Sequence, residues 1–197
     1  MIDININVKT AGAYVLFDGY FVFMFGFGND HTNNELGIVR LGGHCEINEH
    51  SIECIIREIK EESSLDITFF KNKITYYRKN NSIEYEKAIT TQEINPILVL
   101  NGSDNKYSVM YLTYGHGKLV PQMETQGILL LRKEDVEMIC TKNVTLKEYK
   151  ENGGKFLLAK ELPENAVLLP HIQLRFLHDL FELEEDMMEN YMKMNKL

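Results

Sequence analysis

The sequence predicts an α/β chain, on three observations. Two apolar, aromatic runs flank Asp18-Gly19 within residues 11–27, a strong signal for a β-hairpin. Ile52, Ile55, Ile56 and Ile59 fall at i, i+3, i+4 and i+7, the spacing of one buried helical stripe. Strand-like runs and short helical patterns then alternate to the end of the chain. With 197 residues, 44% of them hydrophobic and 25% charged, the chain can bury a core of ordinary size. Its length fits one domain over residues 1–197, with a C-terminal helical element at about residues 170–195.

Taken in order, the hairpin of residues 11–27 supplies two adjacent strands of a central sheet. Residues 36–41 form a further strand that runs into Gly42-Gly43, where backbone can approach a ligand or turn tightly. The isoleucine helix follows. Asn48, or His50-Ser51, marks its start; Ser51 as N-cap places Glu49 just outside the first turn. Residues 65–77 alternate enough for one or two strands. The polar stretch from residue 78 to 95 reads as an insertion or long loop, a place where substrate choice can reside. Residues 97–100 and 107–114 flank a second hairpin turn, and residues 128–131 form a buried strand. Residues 135–139 form a short helix, Thr145 with Glu148 fits a capping box, and Gly153-Gly154 ends that helix. After Pro170 a longer helix carries Ile172, Phe176, Leu177, Leu180 and Phe181 on one face, able to close the core or to pair with a second copy in a homodimer.

The isoleucine helix has a second face. At about 100° per residue, Glu58, Glu61 and Glu62 share one patch, away from the isoleucines. Like charges at i,i+3 and i,i+4 destabilise a helix by a few tenths of about 1 kcal/mol per pair, here beside an already negative C-terminus. Arg57 can reach Glu61, but one arginine does not neutralise three glutamates. A divalent cation does, and oxygen-only ligands suit Mg²⁺ or Mn²⁺.

The full spacing is Gly43, five residues, Glu49, seven residues, Arg57-Glu58-Ile59, one residue, Glu61-Glu62, one residue, Ser64-Leu65. This resembles the Nudix box, G-x5-E-x7-R-E-U-x-E-E-x-G-U with U aliphatic, at every fixed position but the last glycine, held here by Ser64. The resemblance implies an α/β/α sandwich with a mixed central sheet. It implies a metal-dependent hydrolase that cleaves the diphosphate linkage of a nucleoside diphosphate derivative. In that scheme Glu58, Glu61 and Glu62 are the principal metal ligands, with the Gly42 carbonyl as a further one. Arg57 orients the glutamates, and Glu49 holds Arg57 or the loop. The base that takes a proton from water is Glu62 or Glu58 within the box, or Glu124 outside it, which is also a candidate ligand. Leu41 replaces the proline that many members carry before the paired glycines. The alternative is a catalytically silent Nudix-like domain that binds a nucleotide as a sensor. Isomerisation by a related Nudix-fold enzyme would need an active-site cysteine and glutamate beyond the box.

The remaining candidates are weaker. His44 beside Gly43 and His116 in a later turn read as surface histidines, and Phe69, Phe70, Tyr76 and Tyr77 as core aromatics. Cys45, Cys54 and Cys140 match neither a zinc pattern nor a disulfide framework, which suits free thiols in the cytoplasm. A net charge of -8 argues against coating nucleic acid. The N-terminus lacks the basic start and apolar core of a signal peptide, and no run reaches the length of a membrane span.

Overall fold

The computed structural model describes residues 8–27, 34–80, 82–88, 93–102, 106–122 and 125–194. The chain begins with β1 (Val8–Phe17) and β2 (Tyr20–Phe27), joined at Asp18 and Gly19, both with positive φ (49° and 81°). That pair of left-handed residues matches the twist of a two-residue hairpin turn, so Leu16 faces Phe21 across it. Next comes β3 (Glu35–His44), antiparallel to both β1 and β2. The helix α1 (Ser51–Ser63) follows, then β4 (Asp66–Phe69), β5 (Thr75–Arg78), β6 (Glu86–Ala88), β7 (Leu98–Asn101) and β8 (Tyr107–His116). The last part of the chain holds β9 (Gly127–Leu131), α2 (Lys133–Thr141), α3 (Leu146–Glu151), β10 (Lys155–Leu158), β11 (Val167–Pro170), α4 (Ile172–Leu183) and α5 (Glu185–Met194).

The strands run β10-β9-β2-β3-β1-β8-β7-β5-β6, with β11 beside β3 and β4 beside β8. The sheet is mixed: β1 and β8 are parallel, Gly12 opposite Met110, while their other neighbours are antiparallel. Side chains alternate across each strand, so the sheet has two apolar faces. Ala13, Val15, Val22 and Leu41 point to one, where Cys54, Ile55 and Ile59 of α1 cover them. Tyr14, Leu16, Phe21 and Phe23 point to the other, covered by Val136 of α2, Leu174, Phe176 and Leu177 of α4 and Tyr191 of α5. The result is a mixed α/β sandwich with helices on both faces. Among the described residues, no helix is long and apolar enough to cross a membrane.

Several elements differ from the sequence expectation. The buried line of α1 is Ser51, Cys54, Ile55, Ile59 and Ser63, whereas Ile56 stays 48% exposed. The isoleucine stripe is wider than the surface the sheet offers, and packing selects its middle. The polar stretch after Arg78 contains β6, which pairs with β5 at the sheet edge. Two strands, β10 (Lys155–Leu158) and β11 (Val167–Pro170), lie where the sequence predicts no strand: each is short, without alternation, and takes its place by pairing with β9 and β3. The single helix expected after Pro170 is two, broken at Glu184 (φ −138°, ψ 52°). There the Glu184 carboxylate accepts from the Tyr76 hydroxyl at 2.6 Å and pairs with Lys87 at 2.7 Å, so the break fastens the helices to β5 and β6. The apolar face of α4 closes the core: Phe176, Leu177 and Leu180 are fully buried.

Candidate active site

The site is built where β3 hands the chain to α1. His50, not Ser51, is the N-cap; its N–H donates to the Glu53 carboxylate at 3.0 Å. Ser51 is drawn inward instead, its hydroxyl 2.8 Å from that of Tyr111 on β8. At the other end Ser64 takes the left-handed conformation that the missing glycine would favour, with φ 63°, and its N–H closes on the Lys60 carbonyl. The last carbonyls of a helix have no partner within it. Here the Val120 and Gln122 N–H groups supply them, at 2.9 Å to Ser63 and 3.1 Å to Glu62, and the Thr125 hydroxyl adds a 3.2 Å bond to Glu62. Val120, Gln122 and Thr125 are therefore anchored to the end of α1; Glu124 lies outside the described residues.

Arg57 is the hub of the charged face. Its Nε and Nη2 fork onto Glu49 at 2.8 and 2.9 Å, and Nη1 donates to Glu58 at 2.9 Å and Glu61 at 3.2 Å. Nη2 also reaches the His44 carbonyl at 3.1 Å. A planar guanidinium with five donors can hold such a set, which an ammonium group cannot. The fork, with a further bond from the Glu46 N–H at 2.8 Å, pulls the Glu49 carboxyl down to about 2. The Arg57 guanidinium is raised in turn, first by Glu49.

Glu58 lies directly over the loop. A Cβ on Gly43 would collide with its carboxylate atoms, so a side chain there would displace the Glu58 carboxylate from this position. Glu62 turns to the same loop and accepts the Gly42 N–H at 2.7 Å. Glu58 and Glu61 thus share Arg57, and Glu62 stands on the neighbouring backbone amide.

Arg40 enters from β3 and was not singled out from the sequence. Its guanidinium donates to the Gly42 carbonyl, and its side chain runs so close over Gly12 that a Cβ there would meet Cδ at 2.1 Å. Burial lowers its pKa from the ordinary value, while Glu62 and Glu58 act in the opposite direction. The carbonyl expected to face a cation therefore accepts from an arginine. A carbonyl oxygen has two acceptor positions, so this bond does not by itself remove Gly42 from a ligand set. The one hint in the sequence was a charge inside an otherwise apolar strand.

The other candidates fall as ordinary residues or in unexpected company. His44 is exposed, and His116 stands 2.8 Å from the Thr68 hydroxyl across the β4–β8 pair. Tyr76 is buried, while Phe69 and Phe70 stack edgewise on Tyr111 and Tyr114. Cys45 and Cys54 meet each other beside Glu49, a contact without a signal in their spacing.

No family model and no curated protein matches the chain. Among solved structures, it is similar to a hydrolase of the Nudix family from Clostridium perfringens, at 20% identity over 67% of this chain and 86% of that one, with a TM-score of 0.47. It is also similar to a C. elegans Ap4A hydrolase (16% identity; 64% and 82% covered; TM-score 0.43) and to an ADP-ribose pyrophosphatase from Streptococcus suis (16%; 64% and 74%; 0.39). Many of its structural neighbours are Nudix hydrolases. Identities of 20% or less carry no residue role across, so each role rests on where this chain's own side chains stand. The segment that resembles the Nudix box occupies the loop and helix just described, from Gly43 to Leu65.

Proposed function

We propose that the chain is a metal-dependent Nudix pyrophosphohydrolase that cleaves the phosphoric anhydride of a nucleoside diphosphate joined to another moiety. The observation that supports it most is the shared clamp of Arg57 on Glu49, Glu58 and Glu61, with Glu62 held on the adjacent Gly42 N–H. A solvated acidic helix face has no need of a partly buried arginine to order its carboxylates, or of a glycine cleared beneath one of them.

The donor types suit a hard cation: carboxylate oxygens along one helix face and a backbone carbonyl of the loop before it, although the three carboxylates do not already converge within 4.8 Å of one another. Glu58, Glu61 and Glu62 would hold Mg²⁺ or Mn²⁺, with the Gly42 carbonyl as a further ligand and Glu124 as a candidate from the later segment. Bound there, the ion supplies positive charge against the diphosphate oxygens. Arg57 fixes the carboxylates before substrate arrives, so little reorganisation accompanies binding. Glu49 keeps Arg57 in place and, with its carboxyl held near 2, remains an anion throughout the neutral range. Glu58 or Glu62 takes the proton from the attacking water, which adds to phosphorus as the anhydride oxygen leaves. The acidic chain suits a small nucleotide rather than a nucleic acid, and its three cysteines, all free, suit the cytoplasm.

The test is hydrolysis of a panel of nucleoside triphosphates, nucleotide sugars, ADP-ribose and dinucleoside polyphosphates with Mg²⁺ or Mn²⁺. Turnover of at least one is expected, and E61Q or E62Q should remove nearly all of it. The base is the residue, Glu58 or Glu62, whose glutamine variant loses the acid limb of the pH–rate profile while metal affinity is kept; loss of metal affinity instead marks a ligand. Binding of a nucleotide without cleavage by the unaltered chain would replace the hydrolase with a sensor.

A further inference from the structure

The loop between β3 and α1 and the first turn of that helix each hold a thiol that hydrolysis does not use. Cys45 stands just past the end of β3, half-buried, with its N–H on the Lys9 carbonyl at 3.0 Å. Cys54 is in the first turn of α1, fully buried, its N–H closing on His50 at 2.9 Å. Their two sulfurs and one Glu49 oxygen all lie within 4.8 Å of one another. Cys54 Sγ is also 4.0 Å from the Gly43 carbonyl and 4.0 Å from Arg57 Nη2. Such a group of donors invites a thiophilic cation. Glu49, however, already gives both oxygens to Arg57 and one of them to the Glu46 N–H as well, whereas Glu58 and Glu61 each give Arg57 only one. What is left is a pair of thiols, one reachable from solvent and one behind it, with a guanidinium at the inner sulfur.

We propose that Cys45 and Cys54 form a reversible dithiol–disulfide site that reacts with low-molecular-weight disulfides. The Cys45 thiolate attacks one sulfur of the small disulfide, forming a mixed disulfide and releasing the first small thiolate. Cys54 gives its proton to that leaving thiolate, and its sulfur attacks Cys45 Sγ. The Cys45–Cys54 bond forms as the second small thiolate leaves and is protonated from water. Two protein thiols lose two electrons, and the small disulfide is reduced to two thiols. The neighbouring Cys54 thiol holds Cys45 below its ordinary value, while the same pairing and burial push Cys54 above its own, which favours the outer cysteine as first nucleophile. Arg57 stands where the inner sulfur must become a thiolate. The sulfurs close to about 2.0 Å in the product, and the new ring encloses Glu49, so oxidation acts on the loop that positions the glutamate helix.

The test is peptide mapping of the reduced full chain after exposure to oxidised glutathione and an acid quench. The expected product links the Cys45 and Cys54 peptides, is opened by dithiothreitol and leaves Cys140 a thiol. In C54S, glutathione should remain on Cys45; in C45S, Cys54 should stay unmodified over the same time. Circular dichroism confirms that both variants are folded. Four results would overturn the proposal: glutathione accumulating on Cys45 of the unaltered chain without a bridge, a bridge to Cys140, rapid modification of Cys54 in C45S, or no reaction at all. Because the readout is thiol chemistry, it stands or fails separately from hydrolysis.

Discussion

Gly43 has no room for a side chain, because the Glu58 carboxylate fills the space where a Cβ would project, at 2.3–2.5 Å. Gly43→Ala should therefore displace Glu58 rather than unfold the chain. A misplacement of about 1 Å costs on the order of 100-fold in rate, so kcat should fall by about that factor while the thermal midpoint moves little. Activity kept at the level of the unaltered chain would mean that Glu58 does not need this position. Glu49 gives a pH signature. Its carboxyl falls from 4.5 to about 2 on folding, chiefly through Arg57, so its stabilisation is full above pH 4.5 and is lost as pH falls toward 2. Glu49→Gln should remove that part of the acid dependence and cost about 2 kcal/mol at neutral pH, the usual worth of a hydrogen bond to a charged group. Urea titrations of both chains between pH 2 and 7 measure it.

The helix α1 shows how one element serves both core and chemistry. Cys54, Ile55 and Ile59 anchor it to the sheet, and its exit at Ser64 sets where Glu62 stands. Serine in the left-handed region costs about 1 kcal/mol relative to glycine. The Ser64 hydroxyl offsets this by accepting from Gln122 Nε2 at 2.7 Å, a bond worth about 1 kcal/mol. Ser64→Gly removes both effects and should change stability by less than about 0.5 kcal/mol, whereas Ser64→Ala keeps the strain, loses the bond and should destabilise by about 1 kcal/mol. If the alanine variant proves the more stable in denaturant unfolding, the hydroxyl contributes nothing. The sequence showed the helix and its charged face but not its seat: Ile56 belongs to the same periodic stripe as Ile55 and is 48% exposed, because only the sheet decides which part of an apolar stripe is covered.

Across the whole molecule, α4 and α5 hold the face of the sheet opposite α1, and Tyr191 fastens them. Its hydroxyl lies 2.7 Å from both the Tyr14 and Thr113 carbonyls, and burial raises its pKa well above the ordinary tyrosine value. Tyr191→Phe leaves these carbonyls without that donor and should cost about 1–3 kcal/mol; Leu177→Ala, a fully buried truncation, should cost about 2–5 kcal/mol. Both are read as lowered denaturant midpoints with unchanged slopes. What the amino-acid order determined by itself was local: the Asp18-Gly19 hairpin, the existence of the isoleucine helix though not its bounds, and the spacing of Glu49, Arg57, Glu58, Glu61 and Glu62, all legible within a few turns of chain. Folding in three dimensions decided the rest. It laid Arg40 on the Gly42 carbonyl, brought Cys45 to Cys54, set β10 and β11 into the sheet and tied Val120, Gln122 and Thr125 onto the end of α1. Each of these is a meeting between separate elements of the chain, and such meetings depend on how layers pack rather than on any pattern of neighbouring residues.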